Sequence, residues 1–401
     1  MFINKRLVGP CLVALISLFS LVYQPAQGYK SGPRDVYHQA WQLVKDNYYD
    51  ASFNGQNWSQ WEHRMDGDIK TVADAHKAIK VMLESLKDPY TRFLDPRAFQ
   101  DENDAIDARI VGIGINLLQK NNRLIVTRTI DNSPAANAGL KTNDEIVAID
   151  GTPSVGFTPE QAAEKIRGQA GSPVQIAVKR DNGEEKTFDI TRAEIIIHAV
   201  SYKVIEPNIG YIQLSTFISN DAAREFRTAL EKLSGCDGLI VDMRDNPGGL
   251  LSNSLEIADM LLENGVIVKT VGRSGPRVDT SSGEPLTHQP IAVLVDEESA
   301  SASEILAGAL KDNNRAVIVG THTYGKGLVQ EINKLPGGAA IHITVSKYLT
   351  PSGADINKVG VLPDIQVSDK DQQKNVALEY LKEKVVALKH PYRTSNISIS
   401  R

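Results

Sequence analysis

Three short runs in the second half of the chain constrain its fold more than any other feature. Gly238–Asp242, Ile291–Val295 and Ala316–Gly320 are almost wholly apolar and rich in valine and isoleucine. Runs of this kind suit strands covered on both faces, as in a parallel sheet. Helical spacing follows the first two, at Ser252–Leu262 and Ala302–Lys311. Strand, helix and strand in alternation predict βαβ units. Polar or glycine-rich turns leave the strands, and in such a sheet they gather at the carboxyl ends. Strand-like alternation returns at Ile341, Ile343 and Val345, and a last helix is expected from about Lys370 to Leu388.

Upstream the character differs. From about Asp35 to Leu86 the spacing is helical: Val36, Ala40, Leu43 and Val44 share one face. Val72, Ala75, Ile79, Met82, Leu83 and Leu86 recur behind a Thr71 cap, and Asp88-Pro89-Tyr90 ends the run. From Arg109 to Ala193, β-rich runs at Leu124–Thr129, Pro173–Lys179 and Lys186–Ile190 alternate with glycine and asparagine turns. One helix, Pro159–Ile166, interrupts them. The expected fold is α/β and multidomain. Residues 29–108 form a helical region, 109–193 a β-rich domain, and 194–401 a βαβ-type core with a C-terminal helix.

The first residues are read apart from the fold. Lys5 and Arg6 precede an apolar run, Leu7 to Val22, and then Pro25-Ala26-Gln27-Gly28. That order predicts a secretory signal over residues 1–28 with cleavage after Gly28, and hence export. The run is short for a membrane span, and Pro10 interrupts it. Loss of the Lys5 and Arg6 charges takes the formal charge from −5 to −7, so there is no basic footprint for nucleic acid. Cleavage also removes Cys11, and Cys236 then reads as a small core residue with no intrachain disulfide open to it. With 41% apolar and 23% charged residues, disorder and a polytopic membrane protein are excluded.

The chemistry gathers in three turns. Ser299-Ala300-Ser301-Ala302-Ser303-Glu304 follows a buried strand and opens a helix, a placement that suits a nucleophile. Ser301 and Glu304 also match the S-x-x-E capping box, which needs no catalysis. Tyr324-Gly325-Lys326-Gly327 follows the next strand. A lysine can serve as base for a serine only when neutral, which requires burial; otherwise Lys326 is an ordinary exposed lysine. Asp242-Met243-Arg244-Asp245-Asn246-Pro247-Gly248-Gly249 leaves a third strand, and its bare backbone can point N–H groups at an oxyanion or simply make a type II turn. Gly320 to Lys326 also matches most of a phosphate loop. Gly327 lacks the hydroxyl that such a loop needs, and strand rather than helix is expected after it.

Together these turns resemble the carboxy-terminal processing peptidases, also called tail-specific proteases. Lys326 stands 25 residues after Ser301, as the family's base does, and Gln330 stands four residues further, where the family keeps a residue that orients the lysine. Asp88-Pro89-Tyr90-Thr91-Arg92-Phe93-Leu94 and Tyr348-Leu349-Thr350-Pro351-Ser352-Gly353 are further marks, and Phe53 to Trp58 resembles the cyanobacterial and chloroplast branch. The resemblance implies a core of the crotonase/ClpP-like type and a Ser301/Lys326 dyad supported by Gln330. Ala302 and either Gly248 or Gly249 would then supply the oxyanion N–H groups. Glu298 and Thr321 depart from the family pattern, and His322 is an alternative base whose place in the motif is variable.

The β-rich domain resembles a PDZ module. Gly112-Ile113-Gly114-Ile115 stands where that family holds a C-terminal carboxylate on backbone N–H groups. Asn132 and Asn143 replace usual glycines, and Arg167 matches an arginine that links peptide binding to activation. The implied protein is an exported serine endopeptidase of periplasm or thylakoid lumen. It would take protein substrates by their C-termini and need no cofactor, metal or nucleotide; a homo-oligomer stays open. The rival class is a catalytically silent binding protein, against which the presence of Ser301, Lys326 and Gln330 together argues.

Overall fold

The computed structural model describes residues 32–389 apart from 108, 131, 181, 197 and 207. The expected signal, residues 1–28, lies outside the described residues. The three apolar runs are neighbouring strands with the predicted bounds. They belong to a six-stranded sheet in the order Val200–Glu206, Ile209–Leu214, Gly238–Asp242, Ile291–Val295, Ala316–Gly320, Ile365–Gln366. The three pair in parallel, Leu239 beside Ile291 and Ile291 beside Ala316. Both central strands are buried at every position, which is why neither shows a polar face. The helices Ala222–Lys232, Leu251–Leu261 and Ala302–Asp312 cover one face with residues such as Phe226, Ile257 and Leu306. The closing helix Lys370–Lys389 sets Ala377, Leu378 and Leu381 in the layer that holds Ile240, Ala292 and Leu294 on the other. Cys236 is half-buried beside the first of these layers, and its burial pushes the thiol pKa up.

A second, antiparallel sheet is assembled from distant segments. Ala340–Leu349 is its hub, pairing with Arg92–Leu94, Val266–Gly272 and Leu328–Lys334. The helices Pro33–Asn47 and Val72–Glu84 roof this sheet, with Tyr37, Trp41, Ile79 and Met82 in one core with Ile341 and Ile343. Thr71 caps the second helix by accepting from the Asp74 N–H. The N-terminal helices therefore share their core with strands that come about 260 to 300 residues later, and Arg92 pairs with His342 in the same sheet.

The β-rich unit stands between these parts. Ile115–Lys120, Arg123–Thr129, Glu145–Ile149, Pro173–Lys179 and Glu185–Thr191 form its sheet around Val126, Ile146, Ile176, Val178 and Phe188. Asn132 and Asn143 take φ values of 60° and 72°, the left-handed region that asparagine tolerates. The paired strands Arg109–Gly112 and Ala193–Ile196 lie where the chain enters and leaves this unit. A helix that the sequence reading lacked, Pro96–Ile106, precedes that junction. No helix among the described residues is long and apolar enough to cross a membrane.

Candidate active site

The parallel register brings the three turns to one end of the sheet. Ser301 follows its strand and opens the Ala302–Asp312 helix with φ 55° and ψ −111°. A side-chain-bearing residue in this region is strained and persists only where its surroundings fix it. They do so here. The Ala300 N–H and the Ser303 hydroxyl both donate to the Asn246 carbonyl at 3.0 Å, and the Ser299 hydroxyl donates to the Met243 carbonyl at 2.8 Å. The serine turn is thus bound to the glycine turn by its two flanking serines, both fully buried.

The glycine turn is held as firmly. The buried Asn246 amide donates to the Leu214 carbonyl at 2.7 Å and accepts from the Gly248 N–H at 2.9 Å. A Cβ on Gly248 would lie 3.0 Å from the Ser301 Cβ, and one on Gly249 would lie 2.1 Å from the Ile218 nitrogen. Only glycine permits this approach. The Gly248 N–H is engaged by Asn246, so holding an oxyanion there would require that bond to open. Ala302 is the first helical residue, whose N–H has no partner within the helix.

Lys326 lies on a turn pressed against the 356–360 segment. Cβ atoms on Gly325 and Gly327 would both fall within 3.0 Å of that segment. The ammonium lies 5.0 Å from the centre of the Tyr90 ring. Burial pushes the Lys326 pKa down, and the Arg92 guanidinium pushes it further; Glu102, Glu304 and Asp88 act in opposition. Gln330 sits beside a bulge in its strand, and its buried amide nitrogen has no hydrogen-bond partner. No direct hydrogen bond joins Ser301 to Lys326.

What joins them is Glu304, which the sequence reading took only as a helix cap. Its carboxylate is fully buried. Oε2 accepts from the Ser301 N–H at 2.8 Å and the Lys326 N–H at 2.9 Å. Oε1 accepts from the Gly325 N–H at 2.7 Å and the Thr323 hydroxyl at 2.6 Å. One side chain therefore caps the serine helix and straps the lysine turn to it. The Ser301 hydroxyl itself takes no cap hydrogen bond, which leaves it available. Tyr348 adds a second tie: its buried hydroxyl lies between the Ser301 carbonyl, 3.1 Å away, and the Lys326 carbonyl.

Ser301, Ala302, Gly248, Gly249, Lys326 and Gln330 line one cavity of about 530 Å³. Tyr90, Arg92, Glu102 and His342 complete its polar side. Asp88 fixes the Tyr90 segment by accepting from the Tyr90 N–H and from the hydroxyls of Thr91 and Thr344. Glu102 pairs with His342 Nε2 at 3.0 Å and is held below the usual carboxylate range, chiefly by that bond. His322 and Glu298 are exposed, and neither lines the cavity. Gly112, Ile113, Gly114, Ile115 and Arg167 line a second cavity of about 650 Å³ along the β-rich unit. Ile113 itself is packed in that unit's core, so Ile115 offers more apolar surface to the groove. The Pro96–Ile106 helix flanks this groove, with Arg167 paired to Asp101 at 3.1 Å and Arg97 paired to Glu164.

Comparison with known proteins finds family models on both the core and the β-rich unit. The peptidase family S41 model matches residues 208–367 and a PDZ domain model matches 125–180, while residues 31–74 match the tricorn protease C1 domain. A carboxyl-terminal-processing protease of Picosynechococcus sp. is 39% identical over 94% of this chain and 97% of its own length. The chloroplastic carboxyl-terminal-processing peptidase 2 of Arabidopsis thaliana is 36% identical over 90% of this chain and 73% of its own. Among solved structures, a photosystem II D1 C-terminal processing protease superposes with a TM-score of 0.58 at 31% identity, covering 86% of this chain and 97% of that one.

Proposed function

The chain belongs to the carboxyl-terminal-processing proteases of peptidase family S41, and on that premise we propose that it cleaves protein C-terminal tails with a Ser301/Lys326 dyad. Ser301 Oγ attacks the scissile carbonyl carbon while neutral Lys326 Nζ takes the hydroxyl proton. The Ala302 N–H and a glycine N–H, from Gly249 or from Gly248 once it leaves Asn246, hold the oxyanion. Lys326 then passes its proton to the leaving amine, an acyl-serine remains, and water releases it by the same route. Gln330 orients the amine without carrying the proton.

The observation that carries this reading is the Glu304 carboxylate, bonded at once to the N–H groups of Ser301 and Lys326. A binding protein gains nothing from fixing those two residues together around a cavity. The PDZ groove along Gly112–Ile115 recruits the substrate tail, and Arg167 lies at its rim. The signal expected at residues 1–28 and the cyanobacterial and chloroplastic relatives favour an exported enzyme of periplasm or thylakoid lumen. The test is covalent labelling by a serine-reactive probe beside cleavage of a tailed protein. Wild type is expected to do both and Ser301→Ala neither, while Lys326→Arg fails to cleave because guanidinium stays charged. A Lys326→Arg enzyme with normal turnover overturns the dyad.

A further inference from the structure

His38, His63 and Asp66 lie in the N-terminal helical layer, and none of them lines the cavity that holds Ser301. His38 comes from the Pro33–Asn47 helix, whereas His63 and Asp66 share one turn closed by the Asp66 N–H on the His63 carbonyl at 3.3 Å. His38 Nε2 is 2.8 Å from Asp66 Oδ1, and His63 Nδ1 is 3.0 Å from Asp66 Oδ2. The two imidazole centres are 4.9 Å apart. One donor atom from each residue lies within 4.8 Å of the other two. The side chains are 31%, 68% and 28% exposed, so the cluster opens to solvent on one side.

Two imidazoles and a carboxylate form a donor set for a divalent ion of the zinc class. The frame around them is built independently of any ion. Tyr37, next to His38, donates its hydroxyl to the Trp61 carbonyl. Trp41 Nε1 donates to the Trp58 carbonyl at 3.0 Å, and Trp58 Nε1 returns a bond to the Trp41 carbonyl at 3.2 Å. The three aromatics are buried, so helix and turn are already stitched together beside the donors. Ligand atoms on tetrahedral zinc, with bonds of about 2.0–2.1 Å, sit roughly 3.3–3.4 Å apart. The two His–Asp separations need to open by a few tenths of an ångström, while the donor set, now spread over as much as 4.8 Å, must draw together, which a turn of the mostly exposed His63 ring allows. Without an ion, both rings must turn an N–H towards one carboxylate. With a dication bound, each ring would turn a bare nitrogen to it and carry its N–H on the other ring nitrogen, so that the ion meets a lone pair from each of the three side chains.

We propose that His38, His63 and Asp66 form a three-ligand site for a zinc-class divalent cation, with water in the open positions, which staples the first helix to the turn after Trp61. The site is separate from the peptidase chemistry. Its test is calorimetric titration of the full chain with zinc chloride at pH 7.5, in two buffers of different ionisation enthalpy, with thermal unfolding alongside. The expected result is one site per chain and a rise in Tm that a chelator reverses. His63→Ala and Asp66→Asn should each weaken binding at least tenfold, by comparison with the roughly 10–100-fold lost even when a ligand's supporting partner is removed. His76→Ala, outside the trio, should bind zinc as wild type does. Because the His63 side chain is mostly exposed, its variant should melt like the metal-free parent. Binding weaker than about 1 mM, or undiminished in His63→Ala and His38→Ala, overturns the site.

Discussion

Five donors converge on the Glu304 carboxylate, the Thr323 and Tyr348 hydroxyls and three backbone N–H groups that cannot turn away. Glutamine there would point an NH2 at one side of that cluster. A buried donor left unmet costs about 1–3 kcal/mol. Glu304→Gln is therefore expected to lose about that much stability, read from denaturant midpoints, and to lose kcat far more than KM, because the serine and lysine turns lose their shared strap. A normal kcat would mean the strap does not position the dyad. Lys326 obeys a different sign. Only the neutral amine accepts a proton, so activity should rise with pH through its depressed folded-state pKa. Arg92 helps depress that pKa and Glu102 opposes it. Arg92→Gln should therefore move the acid limb of kcat/KM to higher pH, and Glu102→Gln should move it to lower pH; motion in the opposite sense would show that these charges do not govern the base. For stability, folded and unfolded chains both hold the proton below the folded pKa, and there the folded state bears the full desolvation cost. That cost fades as pH rises towards the ordinary value of 10.5. Lys326→Met should be inactive yet gain most stability at neutral pH and below.

At the scale of elements, the site is three loops held in contact, and their glycines set the tolerance. A Cβ on Gly248 would meet the Ala300 carbonyl at 2.5 Å and the Ser301 Cβ at 3.0 Å, on a backbone with φ 95°. Gly248→Ala should cost about 1–3 kcal/mol of strain and displace the nucleophile, with kcat falling by more than the stability loss explains; full activity would show the turn to be slack. The parallel strands were legible because each is buried on both faces and so must be apolar throughout. Of the antiparallel sheet only the Ile341–Val345 alternation and the strand after Gly327 were legible; its other strands and its pairing were not, because Gly275–Thr280 is mostly exposed and Arg92 finds His342 only in the fold. The same split runs through the site. Ser301, Lys326 and the glycine turn sit at strand ends, where motifs show. Tyr90 and Tyr348 lie in segments legible only as family marks, Glu102 and His342 in segments with ordinary local patterns, and the four meet only in three dimensions. Glu304 was visible as a cap because S-x-x-E is local, while its bonds to Thr323, Gly325 and Lys326 cross about 20 residues.

Across the whole molecule, the groove along Gly112–Ile115 and the cavity around Ser301 are separate spaces that both border the Pro96–Ile106 helix. Asp101 on that helix pairs with Arg167 at the groove, while the next residue, Glu102, reaches His342 in the cavity. The Asp101–Arg167 pair is nearly half exposed on both sides, and exposed pairs of this kind are worth at most about 1 kcal/mol. A substrate carboxylate in the groove can therefore compete for Arg167 without large cost. Hydrogen bonds to a charged group contribute about 1.5–3 kcal/mol, or roughly 10- to 150-fold in affinity. If the groove reads the terminal carboxylate, amidating a substrate's C-terminus should lower kcat/KM by an amount in that range. The loss should fall on KM, because the amide leaves the scissile bond and the dyad untouched. Arg167→Ala should narrow the gap between acid and amide substrates, and a short peptide that reaches only the cavity should be cleaved alike in both forms. Equal kcat/KM for acid and amide in the wild-type enzyme would mean that the groove does not sense the tail's charge, and that selection falls to the apolar wall of the cavity around Ile305 and Leu328.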